Sequence, residues 1–397
     1  MNRLRLYIGL LLLLLPIFSH AAIPGLQPAK AWDLNGYVKY MGTGTLPDSG
    51  EFLFDNLIHQ RFNFEYRFNS SLRFNVGMRN RFMWGDSAEN PYYADYIELD
   101  TGYFDLSKNW SFGGHNADDS YVGNSQFDRL YIDWTKADWQ FTGGRFRINW
   151  GMTTIWNPND VFNSYSVYDF DYEERPGTDA VLLSKKLGYA SNFDVVYSPN
   201  KQNQLNSYAA RYLFNVAQWD AQVLMGKARL DHFIGTGIAG DIKGAGLRAE
   251  ISYFDPTEKV WQGVEQAGAT ISSIEMDYSF AGVGNWMIKG ALLHNSNPQE
   301  PINATAFLRL PLTAKTLSFT EFTSYLDASF DLSALSRITL SNIYYQDGSC
   351  FLGLSNNYSL SNNWQLLGVV QYFAGESDSL FSESSSTLIF AQVKWSF

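Results

Sequence analysis

The 397-residue chain is poor in the residues that most enzymes depend on: one cysteine, five histidines and only 17 % charged side chains. The lone Cys350 excludes an internal disulfide, even though an exported chain could form one, and it is expected as a small buried apolar side chain. His59, His115, His232 and His294 have neither an i,i+4 nor a cysteine-linked spacing, so the sequence offers no recognisable metal set. There is no G-x-S-x-G elbow. Gly235-Thr236-Gly237-Ile238-Ala239-Gly240 matches G-x-G-x-x-G, but it lies in a strand-like stretch without the following helix that a phosphate site needs. These absences point to a protein that is not an enzyme and carries no cofactor and no metal. Basic residues are also scarce, 29 Lys and Arg against 40 Asp and Glu, which argues against nucleic acid as a partner. Beyond the N-terminus no stretch approaches the ~20 apolar residues of a spanning helix.

The N-terminus itself has the make-up of an export signal. Arg3 and Arg5 precede an apolar run from Leu6 to Phe18, and Ser19-His20-Ala21 supplies small residues at a cleavage site. The run is short for a membrane anchor, the other reading of such a segment. Residues 1–21 are therefore expected as a signal peptide and 22–397 as the mature chain. Losing Arg3 and Arg5 leaves 27 basic against 40 acidic side chains, a net charge of −13.

Aromatic residues are abundant at 16 %, and they alternate. Ile58, Phe62, Phe64, Tyr66 and Phe68 occupy even positions, while His59, Arg61, Asn63, Glu65 and Arg67 occupy the odd ones. After Asn69-Ser70-Ser71 the pattern resumes with Leu72, Phe74, Val76 and Met78 against Arg73, Asn75, Arg79 and Arg81. A strict period of two means strands with one apolar and one polar face, and the short turn makes them a hairpin. A soluble sandwich also alternates, but its strands average about five or six residues. Runs of ~10 to 12 residues fit tilted membrane-spanning strands. Trp32, Trp84, Trp134, Trp139, Trp150, Trp219, Trp286, Trp364 and Trp395 fall near strand ends, where aromatic girdles meet the membrane interfaces.

Besides 57–68 and 72–84, strands are expected near 32–41, 126–136, 138–150, 178–187, 189–198, 207–215, 217–227, 231–240, 243–254, 270–280, 285–295, 317–332, 336–346, 350–360, 363–374 and 386–397. The fold class is all-β: a transmembrane, antiparallel, up-and-down barrel of about 18 strands, 16 being the other count the pattern allows. Short turns alternate with long polar loops at 85–125, 151–177, 255–269 and 296–316, the asymmetry of periplasmic turns and extracellular loops. The last strand ends on Phe397, which resembles the signal by which the outer-membrane insertion machinery recognises its clients. Strands in lipid must pair completely, so they close into a barrel.

One segment stands out: Gly144-Arg145-Phe146-Arg147-Ile148-Asn149-Trp150-Gly151, then Trp156-Asn157-Pro158-Asn159-Asp160, then Glu174-Arg175-Pro176-Gly177-Thr178-Asp179-Ala180. It resembles a family of porin-like outer-membrane barrels, and the likeness extends loosely over the mature chain. The resemblance implies a long loop after a lumen-facing arginine strand, without implying a substrate. Read by parity, Phe146, Ile148 and Trp150 face lipid, while Arg145, Arg147 and Asn149 face the lumen. Arg61, Arg79, Arg81 and Arg129 face inward by the same rule, in the outer half of the barrel.

Loop 151–177 carries Asp169, Asp171, Glu173 and Glu174. Folded into the lumen, it would pair with the arginines and form a constriction with a transverse field. The plainer alternative pairs the arginines with wall carboxylates such as Glu65 and Asp133 and leaves the loop in solvent. A third makes Asp169, Asp171 and Glu173 a calcium site.

The functional expectation is a bacterial outer-membrane porin for passive diffusion of small polar solutes, embedded among lipid and lipopolysaccharide, its oligomeric state open. The alternative is a ligand-specific uptake barrel for an oligosaccharide or a hydrophobic compound, using loop aromatics such as Tyr92, Tyr93, Tyr96, Tyr103, Phe104, Tyr165, Tyr168 and Phe170. A hydrolase using His115, Asp118 and Asp119 is the third reading.

Overall fold

The computed structural model describes residues 30–90, 112–114, 120–171, 173–175, 177–282, 284–299, 301–304, 307, 312–382 and 385–397. The signal peptide, the aromatics between Tyr92 and Phe104, and His115, Asp118 and Asp119 lie outside them.

Eighteen antiparallel strands form a closed barrel. In chain order they are β1 (Trp32–Pro47), β2 (Leu53–Arg67), β3 (Leu72–Gly85), β4 (Tyr121–Lys136), β5 (Trp139–Phe146) and β6 (Thr178–Lys186). Then come β7 (Asn192–Ser198), β8 (Ser207–Val216), β9 (Trp219–Ala228), β10 (Asp231–Ile242), β11 (Ala245–Pro256) and β12 (Ala269–Ser279). The circuit finishes with β13 (Met287–Asn295), β14 (Phe322–Ser333), β15 (Ser336–Tyr345), β16 (Ser349–Ser359), β17 (Trp364–Gly375) and β18 (Ser386–Ser396). Each strand pairs with its neighbour in sequence, and β18 returns to β1, with Val38 opposite Trp395. Phe397 completes the seam: its N–H donates to Gly36 O at 3.0 Å and its carbonyl accepts from Gly36 N at 3.1 Å.

Alternation decides which side chains face out. On β2, Phe54 and Ile58 are exposed on the outer surface, whereas His59 and Arg61 are buried within the barrel. Val223 and Met225 on β9, Ile234 and Ile238 on β10, and Leu352 and Leu354 on β16 repeat the outward pattern. An apolar outer surface that runs around the barrel calls for a hydrocarbon environment. Trp32, Trp134, Trp139, Trp219, Trp286, Trp364 and Trp395 all sit at the short-turn ends of their strands. Two of those turns have positive φ at both central residues, Ala217-Gln218 and Lys243-Gly244, the handedness that matches strand twist.

The structure differs from the sequence expectation in four respects. β5 stops at Phe146, and residues 147–150 leave the wall. Phe146, Ile148 and Trp150 therefore do not face lipid; they are buried inside the barrel, Trp150 included, so it belongs to no girdle. Cys350 is half-buried, accepting a hydrogen bond from Asn342 Nδ2 at 3.2 Å. Finally, inward positions are not uniformly polar: Leu224, Phe233, Phe254, Ile271, Leu293, Ile343 and Phe351 join an interior apolar cluster with residues of segment 147–177.

Candidate functional site

Segment 147–177 connects β5 to β6 and makes its contacts with inward-facing side chains on both sides of the lumen. Its start rests against β9–β12. Gln222 Nε2 donates to Trp150 O at 2.7 Å. Glu250 on β11 accepts from the backbone amides of Met152, of Thr153 at 3.0 Å and of Asn159 at 3.0 Å. Glu275 on β12 accepts from Thr154 N at 2.7 Å, Thr154 Oγ1 at 2.8 Å and Ile155 N at 3.1 Å. Asn159 Nδ2 donates to Thr236 O at 3.0 Å, and its Oδ1 accepts from Ser252 Oγ at 2.7 Å. Glycines on β10 make room for it: a Cβ at Gly235 would lie 2.6 Å from Asn159 Oδ1. Trp156 packs edge-on against Tyr325 at 6.2 Å. The apolar inward residues of this wall are thus explained, since they cover the dry side of the segment.

The later part of the segment meets β15–β18 and then β1–β2. Tyr168 is hydrogen-bonded to Tyr345 and meets Phe351 edge-on at 5.0 Å, while Gln371 Nε2 donates to its carbonyl at 3.2 Å. Phe170 meets Phe390 edge-on at 4.7 Å. These loop aromatics pack against the wall. Tyr165 instead lies under two guanidiniums, Arg175 at 3.6 Å from its ring centre and Arg147 at 6.0 Å.

Asp171, Glu173 and Glu174 pair with cations of the wall. Asp171 binds Lys39 Nζ at 2.8 Å and His59 Nδ1 at 3.1 Å, with Arg79 Nη2 at 3.9 Å. Burial pushes the Asp171 carboxyl up, but the His59 bond and the Lys39 ammonium outweigh it and hold it well below the usual carboxylate range. Glu173 pairs with Lys394 at 3.0 Å. Glu174 lies 3.4 Å from Arg61 Nε and accepts from Tyr37 OH at 3.0 Å. Asp169 is exposed and accepts from Asp171 N at 3.1 Å.

The six arginines do not act as one row. Arg61 pairs with Asp128 as well as with Glu174. Asp128 is the extra residue of a bulge where Gly77 and Met78 face Arg129 and Phe127, and Gly77 leaves the pair its space, since a Cβ there would be 2.7 Å from Arg61 Nη2. Arg79 Nε donates to His59 Nε2 at 3.2 Å. Arg81 reaches Asn124 Oδ1 at 3.3 Å. Arg129 donates to the backbone carbonyls of Glu174 at 2.6 Å and Arg175 at 2.9 Å. Arg145 pairs with Asp179 on the neighbouring β6 at 2.5 Å and touches none of the four loop acids through that bond. Arg147 has left the strand. Glu65 and Asp133, the wall carboxylates named in the plainer alternative, pair with Arg73, which is not one of the six.

Sequence parity did not assign Lys39, His59, Tyr37 and Lys394 to the site, although Tyr37, Lys39 and Met41 share the buried face of β1 and alternate with Val38 and the exposed Tyr40. It also missed Glu250 and Glu275, isolated carboxylates in otherwise mild strands. For a calcium site the geometry is unfavourable, because Asp171 and Glu173 already hold separate cations. Among the described residues no group of three or more His, Cys, Asp or Glu could hold a metal ion.

Asp160 lies at the centre of the segment. It is fully buried, accepts from Asn163 N at 3.3 Å, and its Oδ2 has no hydrogen-bond partner. Burial raises its carboxyl to about 7, against the opposing pull of Arg147 and the Asn163 bond.

Two water-accessible cavities flank this region. One of about 370 Å³ is lined by Arg61, Asn63, Asn75, Arg129, Tyr131 and Glu174. The other, about 340 Å³, adds Arg73, Asp133, Gln140 and Arg147 to walls the two share.

No protein-family model matches the chain, and no curated protein matches it in sequence. Its fold is similar to solved structures. Against the outer membrane protein OprD from Pseudomonas aeruginosa the TM-score is 0.59 at 7 % identity, covering 92 % of this chain and 93 % of that one. Acinetobacter baumannii OccAB1 gives 0.57 at 10 %, covering 92 % and 96 %. Salmonella typhi OmpF, in complex with daunomycin, gives 0.51 at 12 %, covering 92 % and 97 %. At such identities the likeness is one of fold.

Proposed function

We propose that this chain is a porin-like channel of a Gram-negative outer membrane, through which small polar solutes diffuse passively past a constriction formed by segment 147–177. Eighteen strands enclose more space than wall side chains fill, so a lumen of this size can hold water. The observation that carries the reading is the crossing of that lumen. The segment is held to β11 and β12 through Glu250 and Glu275, and to β1, β2 and β18 through Lys39, Arg61 and Lys394. Fixed cations and carboxylates on either side of a narrow passage order water and discriminate solutes by size and dipole.

In this reading the constriction residues are Arg61, Arg79 and Arg129 on the wall, with Asp171, Glu173 and Glu174 of the segment seated against that side of the barrel. Arg81, Arg145 and Arg147 contribute field, and Asp169 faces water at the mouth. The apolar outer surface sits in lipid, with lipopolysaccharide around the long-loop end, and Phe397 presents the C-terminal strand to the insertion machinery. Transport by diffusion needs no cofactor and no chemistry.

The test is swelling of liposomes that contain the refolded protein. Swelling rates that fall steeply with the size of neutral sugars and amino acids support the diffusion reading. A second reading, a ligand-specific barrel, is favoured by the small volume of the two cavities; saturable uptake of one solute class, with no swelling for others of equal size, would replace the first reading by the second.

A further inference from the structure

Segment 147–177 is anchored at both ends, by different kinds of group. At the acidic end long side chains hold it: Lys39 and His59 on Asp171, Arg61 and Tyr37 on Glu174, Lys394 on Glu173, and Arg129 on the carbonyls of Glu174 and Arg175. At the other end two wall carboxylates take up the segment's backbone. Glu250 is 3 % exposed and Glu275 is 1 % exposed, and they sit on adjacent strands, Glu250 opposite Ser273 and Glu275 opposite Arg248. Together they accept from the amides of Met152, Thr153, Thr154, Ile155 and Asn159 and from the Thr154 hydroxyl.

Amides that converge on one point form an anion-binding concavity, and here the anions are supplied by the barrel wall. Arg248, with Nη1 3.1 Å from Glu275, and Lys289, whose Nζ donates to Thr154 Oγ1 at 2.8 Å, hold the second carboxylate in place. All but the Thr154 hydroxyl bond go to backbone amides, so the bonds fix the path of the chain itself. Such bonds to a charged acceptor are about twice as strong as neutral ones.

From this arrangement we infer that Glu250 and Glu275 are the positioning residues of the constriction: they set how far segment 147–177 stands from the wall, and so the aperture of the passage. The inference rests on the reading of that segment as the constriction. Neither residue needs to touch a solute. The ion pairs at the acidic end trim the passage, but the pair of carboxylates determines its width.

The test uses the full-length mature protein with Cys350→Ser, in which Ser273→Cys reports on the segment. Ser273 faces inward opposite Glu250 and is 3 % exposed, so a cysteine there is shielded while the segment is seated. In that background, Glu250→Ala with Glu275→Ala should raise labelling by a water-soluble maleimide at least tenfold. In planar bilayers the same pair of substitutions should at least double single-channel conductance. Heat-modifiable migration on gels should stay unchanged, which separates release of the segment from loss of the barrel.

A disulfide between Asn159→Cys and Ser252→Cys, whose native side chains are in contact at 2.7 Å, should return conductance to the parent value when Ser273 is left native, and a reductant should release it again. A double variant with an intact barrel, unchanged labelling and unchanged conductance would overturn the inference. So would conductance that rises but does not fall on forming the disulfide. Faster labelling without current from any form, parent included, would support the positioning role and refute the channel reading.

Discussion

Replacing Asp160 by asparagine isolates the energetic balance on which the seated segment depends. The Asp160 carboxyl is enclosed, with a weak bond from Asn163 N and a free Oδ2, and burial raises it to about 7 from an ordinary 3.8. If the segment leaves its seat, the group returns to water and to its ordinary value. The raised value belongs to the seated state, so that state holds the proton more tightly. Its advantage is complete below pH ~4, shrinks as the pH rises, and levels off above about 7. Across that whole window the gap of about three units is worth roughly 4 kcal/mol at 1.36 kcal/mol per unit. Between pH 5.5 and 8.5 only the part below 7 counts, about 2 kcal/mol, or a thirtyfold shift in the seating equilibrium.

The assay is the maleimide labelling of Ser273→Cys in a Cys350→Ser background, normalised to a surface cysteine so that thiolate chemistry cancels. Labelling of the parent should rise about thirtyfold from pH 5.5 to 8.5. Asp160→Asn, neutral throughout, should label slowly at both pH values. A parent that labels equally at both, or an asparagine variant that keeps the full pH dependence, would refute the reasoning.

Three further substitutions probe separate contacts. Lys39→Met leaves Asp171 with His59 and a more distant Arg79, so loss should fall near the lower end of the ~3–5 kcal/mol typical of breaking a buried pair, read as a rise in single-channel conductance. Gly235→Val would place a Cβ 2.5 Å from Ser252 Oγ and 2.6 Å from Asn159 Oδ1, and should displace residues near 159 and raise conductance without changing heat-modifiable migration. Arg61→Ala removes a cation that faces both Asp128 and Glu174, and its reversal potential in a salt gradient should move toward cation preference.

The barrel was legible because lipid and water make opposite demands on alternate residues. The 57–68 and 72–84 expectation lies within or beside β2 and β3, and the count of about 18 strands agrees with the closed circuit. Strand limits were less legible. β1 continues to Pro47 and β4 begins at Tyr121, since wall pairing extends beyond the most regular part of the alternation.

Parity failed where the physical contrast it reads disappears. Ile148 and Trp150 keep the alternation after the chain has left the sheet, because a segment packed between wall and water also has two unlike faces. Gly144, with φ 126°, sits just before the departure and was the local signal available. On β9–β13, Leu224, Phe233, Phe254, Ile271 and Leu293 are apolar on the inner face as well, and only the partner segment explains them. The candidate site was half visible. Arg61, Asp171 and Glu174 follow from parity and loop charge, whereas Lys39, Glu250 and Glu275 acquire their roles from contacts about a hundred residues or more distant in sequence.

In the proposed function, segment 147–177 narrows an otherwise open water-filled barrel. Single-channel conductance in a planar bilayer, parent beside a deletion of Asp160 to Glu174, tests it most directly. The parent should show a steady, small conductance and the deletion a severalfold larger one, with heat-modifiable migration retained. A conductance that is the same in both, or no current from either folded form, would contradict it.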